Sequence, residues 1–268
     1  MSDPLRVGRI AYTNVAPVYT AFDTGAVSVE ARFITGVPSA LNAKLDLAEL
    51  DAGPVSAAYY LRHADRYTLI PTVCIAARDE VLSVALVSSL PPGLLADQPI
   101  AVTRDSASGL ALLNLLLRRR YGIEPVFEPV DDPLEAARQG RPTLLIGDRA
   151  LDARQIFARS HFYDLAQLWN DWTAGSMVFA VWVARASVAV ERPDEVAALG
   201  GAFGRSVEWS RSHTDEVIAA AQRQAPRDTA LYAKYFSTLT YTFDAEARAG
   251  LARFASELGY SEALHVGC

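Results

Sequence analysis

Short apolar runs of strand length alternate with stretches of helical spacing along most of the chain. Arg6–Ala11 reads as a strand ending in the polar Tyr12-Thr13-Asn14. Pro17 then suits the first turn of a helix, where its missing N–H leaves no bond unmade. Val27–Ile34 alternates apolar and polar positions, as a half-buried strand does. Gly36-Val37-Pro38-Ser39 breaks it, and Leu41, Leu45 and Ala48 follow at helical spacing. Asp51–Ser56 predicts a short strand, Ala57–His63 a helix, and Tyr67–Ala76 and Val81–Ser88 two strands rich in β-formers. After Pro91-Pro92 the alternation resumes with a strand over Pro99–Thr103. Leu110, Leu113, Leu116 and Leu117 then form a helical stripe, closed by the cations Arg118–Arg120. Pro125–Val130, Thr143–Ile146 and Val178–Val183 predict strands, with helices over Pro133–Gln139 and from Arg149. From Arg192 onward the pattern is mostly helical, and Asp244 caps a face of Ala247, Leu251, Phe254, Ala255 and Leu258.

Repeated βα units predict an α/β fold with mainly parallel sheets and ligands at the carboxyl ends of strands. The 268 residues are 51% hydrophobic and 21% charged, a globular balance. A net charge of −6 argues against a general nucleic-acid binder, which needs a basic footprint. It leaves room for an anionic small molecule, because a pocket's local field can oppose the net charge. Cys74 and Cys268 suit neither a disulfide framework nor structural zinc, and the four histidines are widely spaced. Nucleotide-binding glycine loops, H-E-x-x-H and G-x-S-x-G are absent from the sequence. Met1–Arg6 lacks the pattern of a secretory signal, and Val81–Ala96, uncharged but broken by Pro91-Pro92, is too short to span a bilayer. The expected location is the cytoplasm.

What recurs is a set of small polar groups at strand ends. They are Asn14, Gly36–Ser39, Pro54–Ser56, Asp105-Ser106-Ala107-Ser108-Gly109 and Gly147-Asp148, with Ser83 inside a strand. Hydroxyls and backbone N–H groups at helix N-termini can hold carboxylates without a cationic side chain. The same residues have simpler readings. Ser39, Ser106 and Ser108 also suit helix caps, Asn14 a turn and Asp148 a cap, while Trp169, Trp172 and Trp182 suit the core. These alternatives stay open on spacing alone.

Five blocks in order resemble the chorismate dehydratases of menaquinone biosynthesis. They are Arg6–Pro17 (RVGRIAYTNVAP), Gly36–Asn42 (GVPSALN), Leu82–Ser88 (LSVALVS), Leu144–Leu151 (LLIGDRAL) and Tyr163–Trp169 (YDLAQLW) followed by Val178–Trp182. The resemblance implies a two-lobed α/β fold similar to type II periplasmic binding proteins, with a helical C-terminal tail. One lobe would comprise 1–88 and 186–268, the other 89–185, with crossings near Ser88–Pro92 and Val178–Arg185 and the ligand in the cleft. It further implies loss of water from chorismate, giving 3-[(1-carboxyvinyl)oxy]benzoate on the futalosine route. Asn14 matches the family's y-x-N-x-x-P asparagine, Ser83 the serine of S-V-x-L-x-S and Ser39 that of G-V-P-S. Taking the matched motifs and the polar strand ends together, the expected catalytic residues are Asn14 and Ser83, and the expected substrate-binding set is Ser39, Ser56, Ser106, Ser108, Gly109 and Asp148. Neither metal nor cofactor is expected, nor a nucleic-acid or membrane partner.

Two departures stand out. The family's S-x-T-S is Ser106-Ala107-Ser108-Gly109 here, so Gly109 offers only backbone contacts. The usual T-G-L-P-F is Thr173-Ala174-Gly175-Ser176-Met177, which alters the return crossing. No strong base stands among the matched positions, so the expected proton acceptor is the substrate's own enolpyruvyl carboxylate. The competing readings are a non-enzymatic anion-binding protein of the same architecture and the related dihydroxynaphthoate-forming enzyme. The latter relies on a histidine base, and no histidine here follows a strand of the second lobe, His161 being the nearest.

Overall fold

The structure, a computed structural model, describes residues 3–103, 107–157 and 162–260. The first series of units gives β1 (Leu5–Ile10), α1 (Ala16–Asp23), β2 (Ala31–Gly36), α2 (Pro38–Asp46), β3 (Ala52–Ser56), α3 (Ala57–Arg62) and β4 (Tyr67–Ala77). Next come β5 (Val84–Val87), β6 (Pro99–Val102), α4 (Ala107–Leu115), β7 (Val126–Pro129), α5 (Pro133–Arg138), β8 (Thr143–Ile146), α6 (Asp148–Ile156), β9 (Phe162–Asp164) and α7 (Leu165–Thr173). The chain closes with β10 (Met177–Arg185), α8 (Ala186–Glu191), α9 (Pro193–Ser212), α10 (Thr214–Gln224), α11 (Thr229–Thr238), β11 (Thr240–Thr242) and α12 (Ala245–Leu258).

The strands form a six-stranded sheet, β11-β4-β10-β3-β1-β2, and a five-stranded sheet, β7-β6-β8-β5-β9. Pairing is parallel between β1 and β2, β1 and β3, β6 and β7, and β6 and β8. It is antiparallel around β10, β11 and β5, so both sheets are mixed and the expectation of mainly parallel sheets needs correcting. In the first sheet the cause is β10, which returns from the second sheet into the middle of the first and runs against both neighbours.

The crossings also fall earlier than the expected 88/89 and 185/186. β5 belongs to the second sheet and β10 to the first, so the chain crosses at 78–83 and returns at 174–176. Both strands are buried on two faces, and a continuous apolar run carries no mark of the sheet it joins. The strand expected over Val27–Ile34 is shifted, because Ala31 opens the parallel register opposite Leu5 and the residues before it turn in from α1. The three-residue β9 and β11 are too short to show a period.

Trp182 anchors the first core. Its Nε1 donates to the Tyr19 hydroxyl (3.2 Å), which donates to the Gly8 carbonyl (3.1 Å). Phe22, Phe33 and Phe203 surround Tyr19 with centroids 5.4–6.3 Å from its ring. Trp169 is fully buried as well, and Trp172 packs edge-on to it, so these indoles are core residues. The helical tail folds back on the first sheet, where Ser206 and Ser210 of α9 donate to the Val18 and Pro17 carbonyls of α1 at 2.7 and 2.6 Å. Among the described residues no helix is long and apolar enough to cross a membrane.

Candidate functional site

A cavity of about 150 Å³ lies where the two sheets meet. The first sheet and its helices contribute Ile10, Tyr12, Asn14, Pro38, Ser39, Asn42, Ser56, Ile75, Phe179 and Ala180. The second contributes Val84, Ala107, Ser108, Gly109, Ile146 and Gly147, with Val81 and Ser83 from the crossing. Most polar positions sit just beyond the carboxyl ends of strands: Asn14 after β1, Ser39 after β2, Ser56 at the end of β3 and Gly147 after β8. That is where parallel βα units leave helix N-termini and loops to form a ligand site.

Asn14 lies in a single 3-10 turn, Thr13–Val15, immediately before α1. Its Oδ1 is buried with no partner among the described residues, and so is the Oδ1 of Asn42. Buried acceptors of this kind are rare and call for a donor. Ser39 and Asn42, three positions apart on α2, share a helix face. The Ser56 oxygen caps α3, accepting from the Tyr59 N–H at 3.3 Å. Ser108 Oγ accepts from the Ala58 N–H at 3.0 Å, which ties α4 of the second sheet to α3 of the first.

Ser83 is held by a more elaborate support. Leu82 adopts φ 58°, a left-handed conformation costing an L-residue about 1–2 kcal/mol. The Asp164 carboxylate fixes this turn by accepting from the N–H groups of Val81 (3.1 Å) and Leu82 (2.8 Å). Arg154 closes it, donating to the Leu82 carbonyl at 2.9 Å and to Asp164 at 3.1 Å. Burial pushes the Asp164 carboxyl up, against the opposing pull of these N–H donors and of Arg154. The Tyr235 hydroxyl is buried close to the Ser83 side chain, and burial raises that phenol far above its ordinary range. The Ser83 carbonyl accepts from the Gly147 N–H at 2.7 Å.

Among the described residues the lining carries no Asp, Glu, Lys, Arg or His side chain. Its polarity comes from amides, hydroxyls and the starts of α2, α3 and α4, whose N-terminal ends carry partial positive charge. Such a surface suits a small anion held by neutral donors. No group of three His, Cys, Asp or Glu that could hold a metal occurs among the described residues.

Of the residues singled out in the sequence, Asn14, Ser39, Ser56, Ser83, Ser108 and Gly109 all face this cavity. Ser106 and His161 lie outside the described residues. Asp148 opens α6 beside the cavity and is not among its lining residues. Its carboxylate is taken up by the Thr13 N–H (3.3 Å), the Thr13 hydroxyl (2.5 Å) and Arg227 (2.9 Å). Sequence reasoning missed Asn42, Tyr12, Phe179 and Tyr235. For Asn42 the signal existed, one helical turn from Ser39; Tyr235 sits in a tail whose pattern marks only packing.

A family model described as menaquinone biosynthesis matches residues 5–259. The chorismate dehydratase of Thermus thermophilus is 31% identical over 271 residues, covering 96% of each chain. Among solved structures, a protein of Archaeoglobus fulgidus superposes with a TM-score of 0.79 at 19% identity, covering 97% of this chain and 98% of its own. The alkanesulfonate-binding protein of Xanthomonas axonopodis pv. citri gives 0.71 at 14% identity, covering 98% and 94%. The fold is therefore that of the periplasmic binding proteins.

Proposed function

Because the chain belongs to the menaquinone-biosynthesis family, we propose that it dehydrates chorismate to 3-[(1-carboxyvinyl)oxy]benzoate. The observation that carries this reading is the convergence of Asn14, just after β1, and Ser83, from the crossing into the second sheet, on one cavity without charged side chains among its described lining. The reaction removes the C3 proton and the C4 hydroxyl of a cyclohexadiene, and aromatisation supplies the driving force. Its barrier is the C3 proton, whose departure pushes negative charge through the diene into the ring carboxylate. Donors aimed at that carboxylate stabilise the charge as it develops, in the manner of an oxyanion hole. Ser39 and Ser108, which line the cavity, and the N–H groups at the starts of α2 and α4 are the candidates for this role.

With no carboxylate, histidine or lysine among the described lining residues, the substrate's enolpyruvyl carboxylate takes the C3 proton and the protein supplies orientation. Orientation alone is worth about 7–11 kcal/mol in well-organised cases. The unpartnered Asn14 Oδ1 suits the C4 hydroxyl as its donor, holding the leaving group in register, and Ser83 assists from the other side. The C4 hydroxide leaves as water by taking back the proton that the enolpyruvyl carboxylate accepted from C3, so the carboxylate is regenerated and the net change is loss of one water. The product enters the futalosine route, and the expected compartment is the cytoplasm.

Incubating the purified protein with chorismate and following the aromatic product by chromatography tests the reading. Turnover supports it; a tight complex that returns chorismate unchanged would make the protein a binding protein. Within the reading, Asn14→Ala lowers kcat by about 100-fold or more while KM moves far less, and wild-type kcat in that variant removes Asn14 from the mechanism.

A further inference from the structure

Arg227 joins α10 to α11 in the tail, yet its side chain is 5% exposed and reaches across to the second sheet. Nη1 donates to Asp148 Oδ1 at 2.9 Å and to the Tyr232 hydroxyl at 2.8 Å. Nε lies 2.8 Å and Nη2 2.7 Å from Asp152 Oδ1, and Nη2 also donates to the Asp148 carbonyl at 3.1 Å. Both aspartates belong to α6, so one guanidinium from the first lobe grips the first two turns of a helix of the second. The Asp148 carboxylate carries the grip onward by accepting from Thr13 N–H and Oγ1. Thr13 is the residue before Asn14, and Asp148 follows Gly147, whose N–H bonds the Ser83 carbonyl. One carboxylate is thus linked to Asn14 through the adjacent Thr13, and to Ser83 through Gly147 and its hydrogen bond.

The guanidinium is buried, but Asp148 and Asp152 are 23% and 43% exposed, so solvent screens the pairing and the charge attraction stabilises modestly. Its several directional bonds also tie one helix of the second lobe to the tail in a defined register. Gly147 lies at the same junction: its φ of +61° suits glycine, and the space beside it toward the Tyr12 ring would just admit a methyl group, at 3.6 Å.

We propose that Arg227 is a positioning residue, a clasp that acts through Asp148 and Thr13 to set Asn14 against Ser83. The proposal rests on the chorismate reading for its kinetic consequence, though the clasp itself is measurable without substrate. Arg227→Met keeps length and removes the charge. It lowers kcat about 10- to 100-fold with KM changed less than about threefold, and it raises amide exchange over Thr13–Val15 about tenfold. Arg227→Lys, which keeps a cation, recovers part of kcat. Thr13→Val, which deletes one hydroxyl and keeps the shape, shifts both readouts the same way by a smaller factor. A folded Arg227→Met with wild-type kcat and unchanged exchange at Thr13–Val15 overturns the proposal. Should that variant fail to fold, Thr13→Val decides, and unchanged kcat and exchange there overturn it equally. If the wild type leaves chorismate untouched, the functional reading fails, and exchange alone then judges the clasp by the same criterion.

Discussion

At Ala174 an alanine occupies the left-handed conformation (φ 55°) that ends α7, a place where glycine costs nothing. This is the first of the four positions at which the chain departs from the family pattern T-G-L-P-F, and that first departure, alanine for glycine, has a physical meaning. Ala174→Gly should stabilise the fold by about 0.5–1 kcal/mol, since relief of the left-handed strain exceeds the entropy added to the unfolded chain; urea unfolding reads the difference. Two residues on, the Ser176 carbonyl accepts from Trp169 Nε1 at 3.2 Å and presses on Gly250 of α12. A Cβ at Gly250 would lie 2.3 Å from that oxygen, so Gly250→Ala should cost about 1–3 kcal/mol or more in the same assay. Residue-level legibility was uneven for a plain reason. Asn14, Ser39 and Ser83 sit in blocks with a recognisable order, whereas the supports of Ser83, namely Asp164, Arg154 and Tyr235, reach it across large sequence separations that no local pattern records.

Among the elements, the ends of β1, β3 and β10 are joined by Asp51. Its carboxylate accepts from the Arg6 N–H (2.8 Å), Arg6 Nε (3.0 Å) and Arg6 Nη2 (2.7 Å), with Arg185 at 3.6 Å. Burial alone would raise this carboxyl, but the Arg6 hydrogen bonds and the two cations outweigh it, and the net shift is downward. A carboxyl depressed in the folded state lends stability above its unfolded value near 4 and loses it as the pH falls through the folded value. The stability gap between wild type and Asp51→Asn, measured by denaturant titration at several pH values, should therefore be full at pH 7 and shrink progressively below about pH 4. The alternation of strands and helices was readable because each unit is amphipathic. The partition of strands between sheets was not, because β5 and β10 are apolar on both faces.

For the molecule as a whole, net negative charge coexists with a cleft whose described lining is uncharged, and on the proposed reading the described backbone ends and hydroxyls share in holding the dianion. The ordered blocks of the sequence pointed to that cleft, while the clasp beneath it, built from residues 13, 148, 152 and 227, emerges only when distant segments meet. The position of β10 has a further consequence for how the protein comes into being. β3 and β4 are made early but do not pair with each other; the slot between them waits for Met177–Arg185. A nascent chain on the ribosome thus holds two bare strand flanks until the whole intervening lobe has been synthesised, a period of vulnerability to sticking and cleavage. Chains stalled at residue 176 should be digested rapidly by a protease that spares the finished protein, and lengthening the stalled chain until β10 clears the ribosome should restore resistance in one step.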